Sequence, residues 1–418
     1  MAISDNIGLY YKKASNVHQY KPEYGKGYKK PTNTLKYEML TKVRKFLVVL
    51  LFLSAFLILI SSAVAIDSGL YSDYEGAKVC SFCHPDQYAK WNTSKHAHAY
   101  ENLINSGEVV EDKCIKCHTL DKESDSLKGV QCEMCHLPGK EHIESENKKG
   151  TQKVYWSANL CAKCHIGGFH NQFNEWRDSA HSKSLTAAGG LVLENEKCQK
   201  CHIAQIIVSK NFKIKEVSVK LEDAEPVNCQ TCHDPHGSNY EHQLRRSKED
   251  LCVSCHNPKD IKPGMELRHV QSSMYSGSAM EMAGVGCYDC HMRARKTGIS
   301  ALPLTPEHSF NAKAIQCPYC HTDKSEGWAR NKIKTVQEKI INKIIKVESL
   351  LDEAENFVNS KNAETYNKAK YDLDFVIADR SRGFHNPQKA EKMLEEAEFL
   401  AKEVIGITEN TTHATTST

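Results

Sequence analysis

The apolar positions of the C-terminal third recur at helical spacing. Over 326–358 they repeat every three or four residues, which predicts a long amphipathic helix. Two further segments, 363–380 and 387–405, show the same period and predict two more helices. Gly383 and Pro387 mark the break between them, and proline suits the first turn of a helix. The apolar positions of the first helix are Ile333, Val336, Ile340, Ile344, Val347, Leu351, Ala354 and Val358.

Near the other end, residues 46–65 carry no charge and are long enough to span a bilayer. Basic residues precede this run and Ala63-Val64-Ala65 ends it, as in a secretory signal. A signal has a short basic region, so we expect the true start at Met39 and an over-extended start over 1–38. The alternative is a cytoplasmic tail on an uncleaved anchor over 39–65, which allows membrane association. Both alternatives place the rest of the chain outside the cytoplasm, in the periplasm or at the cell surface.

Between these regions the chain carries all of its 18 cysteines, in nine Cys-x-x-Cys-His motifs numbered here 1 to 9 in chain order. This motif attaches c-type haem: the two thiols add to the vinyl groups and the histidine binds the iron. A zinc ribbon or a disulfide framework would not require that histidine. The cysteines are Cys80, Cys83, Cys114, Cys117, Cys132, Cys135, Cys161, Cys164, Cys198, Cys201, Cys229, Cys232, Cys252, Cys255, Cys287, Cys290, Cys317 and Cys320. The histidines are His84, His118, His136, His165, His202, His233, His256, His291 and His321. The sequence therefore predicts nine covalently attached haem c groups.

Nine haems on so short a stretch would supply much of the core themselves. We therefore expect a mainly α fold, in which short helices and loops surround packed haems and a bundle of long helices follows. The motifs divide into a four-haem region over 66–190 and a five-haem region over 191–324. A helical segment over 325–407 and a disordered tail over 408–418 complete the predicted organisation.

The charges are nearly balanced, with 55 basic and 52 acidic residues and a net charge of +3. This balance argues against a nucleic-acid partner, which selects a clear basic excess. Beyond residue 65 the balance reverses to 45 basic and 49 acidic residues. Each haem adds two propionates, so we expect an anionic protein whose partners are redox proteins with positive patches.

Two longer units repeat in the haem region. They are Trp91-Asn-Thr-Ser94-Lys-His96 and Trp176-Arg-Asp-Ser179-Ala-His181, and a degenerate copy reads Tyr275-Ser-Gly-Ser278-Ala-Met280. A shorter pattern, Val-x-Cys-x-x-Cys-His, begins at Val130, Val227 and Val285. The repeats indicate duplication of a haem-packing unit, with the final histidine of each long unit as an axial ligand.

The second axial position decides between electron transfer and chemistry. An iron bound on both sides by histidine carries electrons, whereas an open iron can bind a substrate. The candidate second ligands are His96, His98, His142, His170, His181, His236, His242, His269, His308 and Met280. Methionine ligation would raise the potential of its haem.

The C-terminal motifs resemble a superfamily that contains pentahaem nitrite reductase, hydroxylamine oxidoreductase and octahaem tetrathionate reductase. The matching stretches are Cys287-Tyr-Asp-Cys290-His291-Met292, Glu307-His308-Ser309-Phe310, Cys317-Pro-Tyr-Cys320-His321-Thr322 and Gly383-Phe384-His385-Asn386-Pro387. The Trp-x-x-Ser-x-His units, and the stretch from Cys132 to His142, resemble the related tetrahaem cytochrome of nitrification. Together the resemblance covers most of residues 78–405.

The resemblance places motif 5 where the family has its catalytic haem. Nitrite reductase has lysine in place of His202, and its active-site tyrosine position holds Asn257-Pro258 here. By the resemblance His269 corresponds to the family's active-site histidine, and the catalytic arginine is not placed on this sequence. In hydroxylamine oxidoreductase a C-terminal tyrosine cross-links to the catalytic haem, and Tyr366 and Tyr371 lie in that region.

Two functions follow from these features. The first is an extracytoplasmic nine-haem electron carrier between a membrane donor and an external or soluble acceptor. The second is an oxidoreductase of a small nitrogen or sulfur compound, such as hydroxylamine, nitrite or tetrathionate, with one open haem. In the resembling enzymes the C-terminal helices pack between subunits, so the resemblance also implies a homo-oligomer.

Overall fold

The computed structural model describes residues 44–51, 53–54, 72–107, 109–151, 154–168, 170–190, 192–212, 219–257, 267–293 and 306–406. The chain divides into two compact units, Met1–Leu70 and Tyr71–Thr418. In the first unit, residues 44–51 and 53–54 are helical. The predicted start, the end of the apolar run and the predicted tail lie outside the described residues. No helix among the described residues is both long enough and apolar enough to cross a membrane.

The second unit is built from helices, and its described residues contain no β-strand, only the isolated bridges Gly167–His170 and His233–Leu244. The predicted mainly α fold is therefore confirmed. The short α-helices are Ala77–Cys80, Pro85–Asn92, Ala99–Ile104, Asp112–His118, Cys132–His136, Lys140–Glu144, Lys148–Thr151, Asn159–Ala162, Gln172–Arg177, Glu196–His202, Ala204–Phe212, Cys229–Cys232, Lys248–Val253, Gln271–Tyr275, Ala279–Met282 and Cys287–His291. The 3₁₀ turns are Asp125–Leu127, His181–Gly190, Leu221–Asp223, Glu241–Gln243 and Ala314–Tyr319.

Most of the motifs lie in one helical turn, and this conformation suits their chemistry. Residues three apart lie on the same face of a helix, so the two cysteine side chains of a motif point toward one haem edge. Motif 6 shows how the sequence begins such a turn. Asn228 precedes the helix Cys229–Cys232, and its side chain accepts a hydrogen bond from the backbone of Gln230.

The C-terminal segment forms three long helices, Glu326–Glu355, Ala363–Ala378 and Pro387–Ile405. The periodicity predicted each of them, and the first ends three residues earlier than expected. Ala354 is buried, whereas Val358 lies beyond the end of the helix and is 37% exposed. An apolar residue on the predicted face thus remains in the connection to the second helix.

Ion pairs show that the first and third long helices run parallel. Lysines of the first helix pair with glutamates of the third at a constant offset in sequence. Lys339, Lys343 and Lys346 of the first helix bind Glu391, Glu395 and Glu398 of the third. The second helix packs against both. The shared apolar core includes Ile340, Leu373 and Leu394, and it extends to Val270 and Met274 beside motif 7. The three helices therefore form one packed layer with the haem region.

A tight turn between the second and third long helices presents His385 to the haem region. Gly383 has a φ of +81°, and a Cβ there would lie 2.6 Å from the side chain of Ile340. Glycine is suited to this position because it adopts a positive φ without strain and has no Cβ to clash with Ile340. Asn386 caps the third helix and also donates to the carbonyl of Ser276 at 3.2 Å, which fixes the turn against the haem region.

Candidate functional site

One continuous cavity of about 4330 Å³ runs through the haem region. All nine motifs line it, each with its histidine and at least one of its cysteines. The C-terminal segment closes part of the cavity. Ile333 of the first long helix, Ala378 of the second and Pro387 at the start of the third line it, together with the turn between the second and third. The cavity therefore brings the predicted attachment residues into one shared space.

Seven motif histidines each face a second imidazole across this cavity. The pairs and their ring-centre separations are His84 with His142 at 6.4 Å, His118 with His170 at 5.9 Å, His136 with His236 at 6.0 Å, His165 with His96 at 6.4 Å, His233 with His308 at 6.1 Å, His256 with His181 at 6.2 Å and His291 with His385 at 6.1 Å. Two imidazoles on opposite sides of one metal ion, with metal–nitrogen bonds of about 2 Å, have ring centres about 6 Å apart. The residues present therefore fit haem groups held between paired histidines.

Hydrogen bonds at Nδ1 orient the motif histidines. Nδ1 lies 3.0 Å from the carbonyl oxygen of Ala99 for His118 and 2.7 Å from that of Phe310 for His291. In motif 4, His165 uses the side-chain oxygen of Gln172 instead, at 3.4 Å. A proton on Nδ1 leaves the lone pair on Nε2, which is the atom that binds a metal.

Burial keeps these imidazoles neutral. It lowers the pKa of His181, His233 and His269 to about 4, helped by neighbouring histidines. A neutral imidazole has the free lone pair that coordination requires, whereas a protonated one does not. The electrostatics of the cavity thus agree with a role as ligands.

Motifs 5 and 9 differ from the other seven. His202 of motif 5 faces His269 with ring centres 5.3 Å apart and Nε2 atoms 3.3 Å apart. His321 of motif 9 faces the indole of Trp328 at 5.4 Å. An indole presents only an N–H donor and has no lone pair for a metal in its ring plane.

The remaining predicted ligands are not among these pairs. His98 uses both ring nitrogens in hydrogen bonds, to Glu101 at 3.0 Å and to the carbonyl of Asn92 at 2.9 Å. His242 contributes its carbonyl oxygen, 2.7 Å from Nδ1 of the motif 6 histidine. Met280 lines the cavity, and within the described residues no contact pairs it with a particular motif histidine.

The sequence reasoning missed His385 as a ligand candidate. Its ring lies opposite His291 of motif 8, although 94 positions separate the two residues. It falls in the predicted helical segment, beyond the last motif, where the sequence pattern predicts no haem ligand. Two signals could have identified it: the break in helical periodicity at Gly383, and the need for a partner for every motif histidine.

Contacts between cysteines show which motifs adjoin. The first cysteines of three pairs of motifs are in hydrogen-bonding contact: Cys80 with Cys132, Cys161 with Cys229, and Cys252 with Cys287. These contacts join motif 1 to 3, motif 4 to 6 and motif 7 to 8. Second cysteines join motif 2 to 4 and motif 5 to 7, through Cys117 with Cys164 and Cys201 with Cys255.

Further cysteines interact electrostatically across the remaining gaps. They are Cys135 with Cys161, Cys232 with Cys255, and Cys290 with Cys317. These interactions place motif 3 near motif 4, motif 6 near motif 7 and motif 8 near motif 9. The motifs therefore follow one another in the order 1, 3, 4, 6, 7, 8, 9, with motif 2 beside motif 4 and motif 5 beside motif 7.

Paired histidines around a shared cavity, with cysteine pairs for covalent attachment, define a multihaem c-type cytochrome. The comparisons with known proteins agree. The family described as cytochrome c552 matches residues 198–416, and the chain belongs to that family. The family described as cytochrome c554 and c-prime matches residues 79–137 and 160–234. The predicted membership of the multihaem superfamily is thereby confirmed.

A curated relative is the multihaem cytochrome MtrA of Shewanella baltica, 26% identical over 226 residues, which are 43% of this chain and 66% of that protein. The chain spans 66% or less of the length of the curated relatives it matches. Among solved structures, the outer cell wall cytochrome OcwA matches with a TM-score of 0.64 and 21% identity, covering 79% of this chain and all of that one. An undecahaem cytochrome from the S-layer of Carboxydothermus ferrireducens matches with a TM-score of 0.60 and 19% identity, covering 79% of this chain and 69% of that one. These structures share the fold.

Proposed function

We propose that the chain is a nine-haem cytochrome that carries electrons outside the cytoplasm, between a membrane donor and an external or soluble acceptor. The observation that carries the proposal is the set of seven histidine pairs with ring centres 5.9–6.4 Å apart. Haem c supplies one-electron iron chemistry, and an iron bound by two histidines is suited to electron transfer.

The chain's own residues supply the ligands in this proposal. Each motif histidine would bind one haem iron, and the residues that would hold haems 1, 2, 3, 4, 6, 7 and 8 from the other side are His142, His170, His236, His96, His308, His181 and His385. His98 and His242 are left out of this set because, among the described residues, no ring contact pairs either imidazole with a motif histidine. Met280 stays a sequence prediction without an assigned haem.

The contacts between motifs give the proposed route for electrons. It follows the motif order 1, 3, 4, 6, 7, 8, 9, with haem 2 beside haem 4 and haem 5 beside haem 7. The two ends of the row, near motif 1 and motif 9, include exposed attachment cysteines, Cys83 and Cys320. We therefore assign the donor and the acceptor to these two ends.

The proposed location and partners follow from the leader and the charge. The apolar run over 46–65 would export the chain or anchor it, and covalent haem attachment takes place outside the cytoplasm. Two solved structures that share the fold are named for an outer cell wall and an S-layer, which supports the proposal of a surface location. The acidic excess beyond residue 65 favours redox partners with positive patches. A homo-oligomer through the long helices belongs to the same proposal.

The haem content and spin states of the holoprotein test this function. The pyridine haemochrome assay should give nine haems per chain, and electron paramagnetic resonance should show mostly low-spin ferric haems. The reduced protein should pass electrons rapidly to a soluble ferric complex. Fewer than nine haems, or a majority of high-spin haems, would refute the proposal.

A second candidate function rests on motif 9. His321 faces the indole of Trp328, which offers iron no ligand, and the indole is 36% exposed. A small nitrogen or sulfur compound could then be reduced or oxidised there, with the other haems as the electron supply. Stoichiometric binding of nitrite or hydroxylamine to one haem, followed by its turnover, would favour this enzyme over the electron carrier.

A further inference from the structure

The two Trp-x-x-Ser-x-His units and their degenerate copy share one structural role. In each, the leading aromatic side chain donates a hydrogen bond to the carbonyl of a valine that lies two residues before a later motif. The three bonds join Trp91 to Val130 at 2.9 Å, Trp176 to Val227 at 2.8 Å and Tyr275 to Val285 at 2.6 Å. The long and short sequence repeats are therefore two halves of one structural unit that occurs three times.

The backbone around each aromatic residue repeats as well. The N–H three residues before it donates to the carbonyl of the preceding motif histidine, and the serine three residues after it is buried. The backbone bonds join Tyr88 to His84, Phe173 to His165 and Ser272 to His256, at 2.9–3.0 Å. The serines Ser94, Ser179 and Ser278 are 5%, 1% and 2% exposed. Each unit thus joins two motifs whose first cysteines touch: 1 with 3, 4 with 6, and 7 with 8.

The first two units each contain an extra motif between their halves, motif 2 and motif 5. The histidines of these two motifs are held in the same way. Nδ1 of His118 lies 3.0 Å from the carbonyl of Ala99, and Nδ1 of His202 lies 2.9 Å from that of Ser184. Both carbonyls come eight residues after the tryptophan of their unit. Motifs 2 and 5 therefore occupy equivalent places in the repeat.

Their partner histidines are equivalent too. His170 lies six residues before the aromatic residue of the second unit, and His269 lies six residues before that of the third. Each also meets a motif histidine edge-on: His170 with His165 at 5.7 Å and 84°, and His269 with His256 at 5.6 Å and 75°. In both cases the unit that follows supplies the imidazole facing the extra motif.

We infer that His269 is the second axial ligand of haem 5, as His170 is of haem 2, so the haem at the family's catalytic position is closed. This inference rests on the proposed nine-haem function. The Nε2 atoms of His202 and His269 already point at each other, 3.3 Å apart. An iron between them needs about 4 Å, so a shift of less than 1 Å makes room for it. Haem 5 is then an electron carrier or reservoir beside haem 7.

Matched variants of the full-length holoprotein test this assignment. His269→Ala should convert one haem beyond those of the wild type to a high-spin form that binds one equivalent of cyanide. His170→Ala should do the same through haem 2. His269→Met should keep haem 5 low-spin, with a methionine–iron absorption band and a raised midpoint potential.

The outcomes separate the inference from the function on which it rests. If His269→Ala adds no high-spin haem while His170→Ala adds one, His269 is no ligand and the inference fails, although the electron-carrier function survives. If His269→Ala does not fold, the variant His269→Met decides: a methionine band supports the inference, and a spectrum identical to the wild type overturns it. A wild-type protein with fewer than nine haems would refute the proposed function itself.

Discussion

The carboxylate of Asp379 lies 2.6 Å from Nδ1 of His385 and is buried at the end of the second long helix. Its other oxygen accepts hydrogen bonds from the backbone and hydroxyl of Ser381. Most of the other Nδ1 contacts use neutral oxygens of backbone carbonyls and amide side chains. A buried carboxylate makes an imidazole a stronger donor to its metal, so Asp379 should favour the ferric form of haem 8.

Asp379→Asn should therefore raise the midpoint potential of haem 8. Second-sphere changes weaken metal binding by about tenfold or more, and a tenfold difference between oxidation states corresponds to about 60 mV. Spectroelectrochemistry on the holoprotein measures the shift. Asp372→Asn is the matched control, because Asp372 is also buried on this helix but pairs with Lys368 instead of a histidine. Equal potentials in all three proteins would contradict the account.

Trp328→His should close haem 9. The indole ring lies 5.4 Å from that of His321, so an imidazole at this position lies within reach of an iron bound by His321. We expect the loss of one high-spin signal and of one equivalent of cyanide binding. Trp328→Phe supplies no ligand and should keep both. If Trp328→His leaves the spin state and the cyanide binding unchanged, the assignment of haem 9 as the open haem is wrong.

Trp176→Phe should destabilise the protein by about 1 kcal/mol, because the carbonyl of Val227 loses its 2.8 Å hydrogen bond while most of the ring remains. Trp91→Phe, which removes the equivalent bond to Val130, should cost a similar amount. Denaturant unfolding followed by circular dichroism measures both. If the two hydrogen bonds do not stabilise the fold, both variants should unfold at the same denaturant concentration as the wild type.

The lysine–glutamate pairs between the first and third long helices should stabilise the fold by an amount that depends on salt and pH. Hydrogen bonds from Lys339 and Lys343 hold the pKa of Glu391 below its ordinary value of 4.5. A carboxyl with a lowered pKa stabilises the fold above about pH 4.5, and this contribution disappears as the pH falls through the lowered value. Lys343→Met should cost about 0.5–1 kcal/mol at pH 7 in low salt, and less at 1 M salt.

The control for Lys343→Met is Lys370→Met, since Lys370 and Asp374 form an exposed pair 3.7 Å apart within one helix. It should change the unfolding midpoint by less than Lys343→Met does. If Lys343→Met lowers the free energy of unfolding by the same amount at pH 3 and in high salt, the variant has lost packing and not a charge pair.

Local patterns predicted much of this fold. The three long helices follow from apolar periodicity, and they differ from expectation only at their C-terminal ends, where Val358 and Arg380 lie outside the helices. The attachment residues follow from a motif whose chemistry is contained in five consecutive positions. Both are short-range signals, which a single sequence displays directly.

The ligand pairing could not be predicted in the same way, because it depends on long-range packing. His385 reaches His291 only through the turn at Gly383, and Asp379 at the end of the second long helix supports it. The equivalence of His170 and His269 depends on the hydrogen bonds that join the long and the short sequence repeats. The sequence motifs alone assign neither His170 nor His269 to a particular haem motif.

Near-infrared magnetic circular dichroism of the ferric holoprotein, quantified per haem, tests the central claim most directly. The account predicts nine haems per chain, eight of them with the band of bis-histidine ligation and one high-spin, at motif 9. The His385→Ala variant should reduce the bis-histidine count to seven. A wild-type spectrum with fewer than seven bis-histidine haems would contradict the histidine pairs on which the proposed electron-carrier function depends.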